Sequence, residues 1–250
     1  MEAILERLRN TRGKTALWHM DLTTGAVTSY RADAPLVAAS VIKLFVMAEA
    51  LRQMETGELD PNETFVVTPD QKMPSCGALS YMHDGLAVTA MDLVTLMIIV
   101  SDNTATNMLV DRLGIERING TIGMVGARGC VLRRRLFDAE ASARGVQNEV
   151  TAEGVGKFLL ALHEGRAVSP AASERMLEIL KNQRLNGKIP FFLDCAVAHK
   201  TGEDDGTTHD AAIVYAARPF ILVMLSNGVD VPAFERVMQD AARDLAREPI

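Results

Sequence analysis

Cysteine is scarce: the 250-residue chain holds three, Cys76, Cys130 and Cys195. No two stand at CxxC spacing, so a zinc knuckle or a dithiol redox motif lacks its residues and no metal site is expected. An odd count rules out a complete disulfide framework and leaves room for one bridge at most. The better reading of all three is as small buried hydrophobes. Long apolar runs are missing as well. No stretch approaches the length of a membrane span, about 20 residues. The first residues, MEAILERLRNTRGK, interrupt their apolar positions with charge, so they contain no signal-peptide core. Ile4, Leu5 and Leu8 have helical spacing instead. The expectation is a soluble protein, cytoplasmic as the chain stands, or periplasmic or secreted if a leader has been removed. Positive charge is also in deficit: 26 Lys and Arg against 32 Asp and Glu, net −6. That balance offers no electrostatic reason to bind nucleic acid or an anionic membrane. The run Arg133-Arg134-Arg135 is too short to change this and reads as a solvated or ion-paired stretch.

What remains is 48% hydrophobic residues in a chain long enough to bury a large core, as one domain or two interlocked lobes. Thr15–Asp21 and Ala26–Tyr30 read as a hairpin around Thr23-Thr24-Gly25. From about Ser40 to Met54 comes a helix apolar on most sides, hence buried, ending before Gly57. Thr89, with Asp92 three residues on, opens a second buried helix that runs to Val100. Asp102 begins a third, which Gly114 stops. Ile115–Met124, Thr151–His163 and Pro170–Asn182 complete a helical block. Residues Gly126–Asn148 lack periodicity and read as a long ordered loop, a length that inside compact domains usually carries function. Ala196–Lys200, Ala211–Ala216 and Phe220–Ser226 read as strands, with Val231–Arg247 as a closing amphipathic helix. The assembly expected is α/β, an α+β sandwich. One antiparallel five-stranded sheet and its flanking helices come from residues 1–36 and 186–250. An all-helical lobe, 37–185, is inserted between them.

Three short motifs stand in order: Ser40-Val41-Ile42-Lys43, Ser101-Asp102-Asn103 and Lys200-Thr201-Gly202. The first is weak alone, since average composition yields an S-x-x-K roughly once in a chain this size. An S-D-N or a K-T-G arises by chance in only about a few such chains per hundred. All three in this order are a strong signal. Residues three apart on a helix are neighbours, so Lys43 lies on the side of Ser40. A helix start favours negative charge developing at Ser40. An apolar helix disfavours the charged ammonium of Lys43, the condition a lysine base needs. Asp102 reads as a helix cap that leaves Ser101 and Asn103 free for a cleft. Lys200-Thr201-Gly202 closes a strand whose side-chain-free glycine lets backbone approach a ligand.

These motifs resemble the set found in class A β-lactamases and penicillin-binding proteins, and the chain looks like a divergent class A-like branch of that family. The likeness runs from about Thr15 to Ala246 and is clearest in TAMDLVTLMIIVSDNTATNMLVDRLG and VAHKTG. It implies a β-lactamase/transpeptidase-like fold and a serine hydrolase of the class A β-lactamase type, with no cofactor. It implies Ser40 as the acylated nucleophile, Lys43 as its base and Ser101 as the hydroxyl that passes a proton to the leaving nitrogen. Asn103 would bind the substrate's acylamide. Lys200, Thr201 and Gly202 would hold the substrate carboxylate, and the backbone N–H groups of Ser40 and Glu203 would form the oxyanion hole. The substrate implied is a small-molecule β-lactam or related acyl compound, acted on by a monomer.

Three departures stand out. The deacylating glutamate is normally found in E-x-x-L-N, a string absent here; Glu140 is the first candidate in its place and Asp138 the second. Pro74-Ser75-Cys76-Gly77 stands where many lactamases have an aromatic wall. The strand after Lys-Thr-Gly offers no arginine to the substrate carboxylate, leaving His209 as a stand-in. A related serine amidase, esterase or D,D-peptidase with the same acylation machinery is therefore the rival reading, and a non-catalytic binding module is a third.

Overall fold

The computed structural model describes residues 1–247; residues 248–250, which close the expected sheet-bearing lobe, lie outside the described residues. Helix α1 (Glu2–Asn10) presents Ile4 and Leu8 inward and leads into the hairpin β1 (Lys14–Asp21) and β2 (Val27–Tyr30). A short strand β3 (Leu36–Val37) and one 3-10 turn, Ala39–Ile42, bring the chain to α2 (Lys43–Glu55). The inserted lobe continues with β4 (Thr64–Val66), β5 (Ala87–Thr89), α3 (Ala90–Ile99), α4 (Asn103–Leu113) and α5 (Ile115–Met124). Then come α6 (Ala139–Ala143), β6 (Glu149–Val150), α7 (Ala152–His163) and α8 (Pro170–Lys181). The chain returns to the sheet with β7 (Val197–Asp204), β8 (Thr207–Val214) and β9 (Phe220–Asn227), and α9 (Val231–Ala246) closes it.

The sheet has the order β2-β1-β9-β8-β7 with antiparallel neighbours throughout, so the two chain ends meet at β1 and β9 and β7 is left as an edge. Alternation decides what each face covers. Phe220, Leu222 and Met224 of β9 join Leu17, Phe234, Met238 and Leu245 beneath α1 and α9. Ile221, Val223 and Leu225 join Ala16, Trp18 and Ala211 against the inserted lobe. Helix α7 crosses that face closely because Gly156 lies over Trp18, where a Cβ would come within 2.2 Å of the indole ring. The α2 helix is the axis of the inserted lobe: Leu44, Phe45, Val46, Met47 and Ala48 have no exposed surface, as expected of a helix apolar on most sides.

The structure differs from the sequence reading in three places. Strand β7 does not end at Lys-Thr-Gly but runs on to Asp204, and β8 begins at Thr207, so only Asp205-Gly206 turn. Polarity hid this pairing. Thr208, His209 and Asp210 are buried, and hydrogen bonds to Ser226, Val37 and His199 offset their desolvation. The inserted lobe is not wholly helical, since β4 and β5 pair as a ribbon at its edge. The aperiodic 126–148 segment contains the short helix α6, and a bridge between Val131 and Glu149 closes its base.

Candidate active site

Ser40 lies in the 3-10 turn just before α2, so it leads the helix by one turn rather than capping it, and Lys43 is the first α-helical residue. The preceding residue, Ala39, has φ 42°. Left-handed backbone in a residue with a Cβ costs roughly 1 kcal/mol or more. Ser75 (φ 74°), Ser101 (φ 54°) and Phe137 (φ 59°) share that conformation, and Ala39, Ser75 and Phe137 line the cleft onto which Ser40 opens. Such strain persists only where the surroundings hold it.

The holding is visible in bonds. Asp102 caps α4 through Ala105 N (2.9 Å), as expected, and its other oxygen accepts from Ala78 N (2.7 Å) and Leu79 N (2.8 Å). Asn103 Nδ2 donates to Pro74 O (3.0 Å) and Thr104 Oγ1 accepts from Met73 N (2.9 Å). The Pro74–Gly77 segment is thus fastened to the Ser-Asp-Asn corner, and it brings Ser75 and Cys76 into the cleft wall. On the other flank, the edge strand β7 approaches the Ser40 turn so closely that a Cβ on Gly202 would lie 3.2 Å from Val41 and 3.3 Å from Ala39. The glycine therefore serves strand-to-turn packing.

Beneath Ser40 the two lysines meet. Lys43 Nζ donates to Ser101 O (2.7 Å) and Asn103 Oδ1 (2.8 Å), and lies 3.0 Å from Ser101 Oγ. Lys200 Nζ lies 3.1 Å from the same hydroxyl and donates to Thr201 O (2.8 Å). Both lysines are fully buried. Burial, followed by the charge of Lys200, pushes the Lys43 ammonium well below its ordinary range. Burial, followed by Lys188, brings Lys200 down to about 7. The Ser101 hydroxyl bridges two amines that readily give up protons, while Ser40, Asn103 and Glu203 line the open cleft of about 570 Å³. Thr201 and Gly202 are buried behind it.

The acids are arranged differently from the expectation. Glu140 points to solvent with its side chain 91% exposed, 3.9 Å from Arg144, and is not part of the cleft lining. It sits in the first turn of α6, whose single buried residue is Ala141, so the helix turns Glu140 outward. Asp138 does line the cleft, but its carboxylate caps α6 through Ala141 N (2.8 Å). Leu136 lines this wall as well, and both its peptide groups are clamped by the side chain of Asn107 (2.9 Å each). His209 is no substitute for an arginine. It is buried on the sheet side, accepts from Ser226 N at Nδ1 (3.1 Å) and donates from Nε2 to Val37 O (2.8 Å). Burial holds it neutral, with its pKa lowered to about 4.

Several residues of the site escaped sequence reasoning. Asn148 fastens the loop to the Ser40 turn: it accepts from Arg133 N (2.7 Å) and Arg134 N (3.0 Å), and its own carbonyl accepts from Ala38 N (2.8 Å). Arg134 enters the cleft wall, while Arg133 and Arg135 pair with Glu149 and Asp111 as expected of a solvated run. Lys188 is buried against Gly202 O (3.2 Å), His209 O (3.3 Å) and the Glu203 carboxylate (3.0 Å). None of these carries a local signature of its role, and nor does Asn107, which lies one helical turn after Asn103 on the same face.

Comparison with known proteins points one way. A model described as the beta-lactamase enzyme family matches residues 1–248. A β-lactamase of Streptomyces lavendulae is 26% identical over 226 residues, covering 85% of this chain and 73% of its own. The crystal structure of a β-lactamase from Sphaerobacter thermophilus superposes with a TM-score of 0.89 at 27% identity, over 98% of this chain and 94% of that one. The protein named PBP-A shares the fold at a TM-score of 0.88 and 24% identity, over 98% and 94% of the two chains.

Proposed function

The chain belongs to the beta-lactamase enzyme family, and from that premise we propose that it is a serine β-lactam hydrolase working through an acyl-enzyme on Ser40. The observation that carries this reading is the Ser101 hydroxyl held between the Nζ atoms of Lys43 (3.0 Å) and Lys200 (3.1 Å), next to a nucleophile turn that opens on the cleft. Ser40 Oγ adds to the lactam carbonyl as its proton passes to the neutral amine of Lys43. The ring C–N bond then breaks, and a proton from Lys43 reaches the departing nitrogen through Ser101. The net transfer is one proton from Ser40 to the lactam nitrogen, leaving an ester on Ser40. Burial lowers the pKa of Lys43, which favours the neutral amine that a base requires. Backbone N–H groups of Ser40 and Glu203 would receive the oxyanion, and such donors typically contribute about 100-fold or more. Lys200 and Thr201 would meet the substrate carboxylate, with Gly202 keeping strand and turn in contact. Among the described residues, no helix is long and apolar enough to cross a membrane.

The second step needs a group of a different kind. Water must add to the ester to release the ring-opened acid and restore Ser40, and a carboxylate normally takes the proton. Here the clamped residue of the loop wall is Leu136, Asp138 is engaged as a cap and Glu140 faces away. That observation favours the rival reading, a related serine amidase or D,D-peptidase that acylates readily and hydrolyses the lactam ester slowly. Incubation with penicillin G, acid quench and peptide mapping test both. A mass increase on Ser40 is expected, and its absence or its appearance on another residue overturns the acyl-enzyme reading. An adduct that disappears within seconds supports the hydrolase, and one that lasts for hours supports the rival.

A further inference from the structure

Aromatic residues make up only 5% of the chain, and most of its phenylalanines are accounted for by packing. Phe45 and Phe158 pack against each other in the inserted lobe with centroids 5.2 Å apart, Phe220 lies against His19, and Phe234 is buried on the inner face of α9. The exposed pair Phe191 and Phe192 contact each other, and Arg236 and Arg243 cover Phe192. Phe137 is unlike these. Its side chain is 50% exposed, it has no ring or cation partner among the described residues, and it is the one aromatic of the described residues that lines the reaction cleft.

Its position is imposed by its neighbours. Leu136 is clamped to Asn107 at both N and O, and Asp138 is committed to capping α6. Between these fixed points Phe137 is held at φ 59°, a conformation that a bulky side chain rarely adopts. The clamp also says which end of the cleft the ring serves. Asn107 lies one turn after Asn103 on α4 and holds Leu136, so Phe137 belongs to the side where Asn103 would meet an acylamide. On the flank fastened to that same corner the lining residues Ser75 and Cys76 are small, leaving room for a flat group. An unpartnered ring face in a cleft is offered to a ligand that can stack on it.

We infer that Phe137 is the platform for the acyl side chain of the substrate, and that the site selects acyl donors whose side chain carries an aryl ring. The inference rests on the acyl-enzyme reading given above. Its test uses two penicillins with the same bicyclic nucleus: penicillin G, which carries a phenylacetyl group, and 6-aminopenicillanic acid, which carries none. Second-order acylation constants are measured by quenched time courses and intact mass. The ratio between the two probes is compared in the wild type, Phe137→Gly and Phe137→Tyr. Glycine accepts the left-handed backbone, so Phe137→Gly deletes the ring and leaves the loop its conformation. The ratio is expected to fall roughly fivefold or more in Phe137→Gly, as loss of an aromatic contact would give, and to return in Phe137→Tyr. An unchanged ratio in Phe137→Gly, or an equal loss for both probes, overturns the platform and leaves the acyl-enzyme reading standing. Failure of the wild type to acylate with either probe overturns that reading and the platform with it.

Discussion

The polar floor buried behind the cleft and the loop that walls it are held by different means. The floor, made of Lys43, Ser101 and Lys200, grows out of regular elements: the start of α2, the corner before α4 and the edge strand β7. Its polar atoms are buried and bonded to one another over distances of 2.7–3.1 Å. The wall, residues 131–148, has little regular structure and is fastened by side-chain clips, Asn107 to Leu136 and Asn148 to Arg133 and Arg134. Its side chains are largely half-buried or exposed. A buried polar network tolerates few substitutions, because each missing partner leaves a desolvated group unpaired. A clipped loop can change the residues between its clips freely. On the proposed reading, acylation therefore belongs to the floor, whereas the fate of the acyl-enzyme and the choice of substrate depend on the wall.

The largest effect expected from breaking this division lies in the floor. Lys43→Met removes the amine and fills its volume with an apolar chain. The buried acceptors Ser101 O and Asn103 Oδ1 lose their donor, which costs about 1–3 kcal/mol, so the melting temperature should fall while the fold is retained. The acylation rate should fall by about 100-fold to 10,000-fold, the range for loss of a general base. Quenched-flow mass spectrometry with penicillin G checks the rate and calorimetry the fold. Near-normal acylation in a folded Lys43→Met protein would remove this lysine from the mechanism.

The same division explains what could be read in advance. The floor was legible because its chemistry needs fixed residue types at fixed helical or strand positions, and Ser40, Lys43, Ser101, Asn103 and Lys200 lie together beside one cleft. The sheet was legible through the alternation in β1 and β9. Strand β8 was obscured because Thr208, His209 and Asp210 are polar yet buried, and only the paired partners reveal why that is tolerable. The wall was legible only as a long ordered loop with a solvated basic run, and the aim of its side chains was not. Glu140 was preferred from its resemblance to a motif, whereas the direction of a side chain in an aperiodic segment depends on clips from distant residues such as Asn107 and Asn148. Neither asparagine carries a local signature of that role.

An intermediate effect is expected from pH. The Lys200 pKa is lowered to about 7 by burial and by Lys188, so the ammonium is present below that pH and lost as pH rises through it. If Lys200 holds the substrate carboxylate, affinity should follow the ammonium. KM for penicillin G is expected to rise several-fold between about pH 6 and pH 8, as expected when a charged group pairs across a desolvated cleft. A neutral methyl ester of the same compound should show no such rise. Parallel KM profiles for acid and ester would place the carboxylate elsewhere and weaken the distinction between a fixed floor and a variable wall.

The smallest effect expected is at Glu140, and it bears most directly on the wall. A carboxylate 91% exposed and 3.9 Å from Arg144 makes at most a weak surface pair, which water and salt screen. Glu140→Gln should therefore leave both acylation and loss of the acyl-enzyme within about twofold of wild type, the scale of a surface substitution away from the reacting atoms. Asp138→Asn is the instructive companion, because Asp138 does line the cleft while its carboxylate caps α6. Asparagine retains the capping oxygen, so the helix should persist and any change in ester hydrolysis would report the lost charge alone. Intact-mass time courses of the acylated proteins read both variants. A Glu140→Gln protein that acylates normally and then loses its acyl group about 100-fold more slowly would mean that α6 swings inward once the ester forms. The wall would then be a moving part of the chemistry, and the contrast between a catalytic floor and a passive wall would fail.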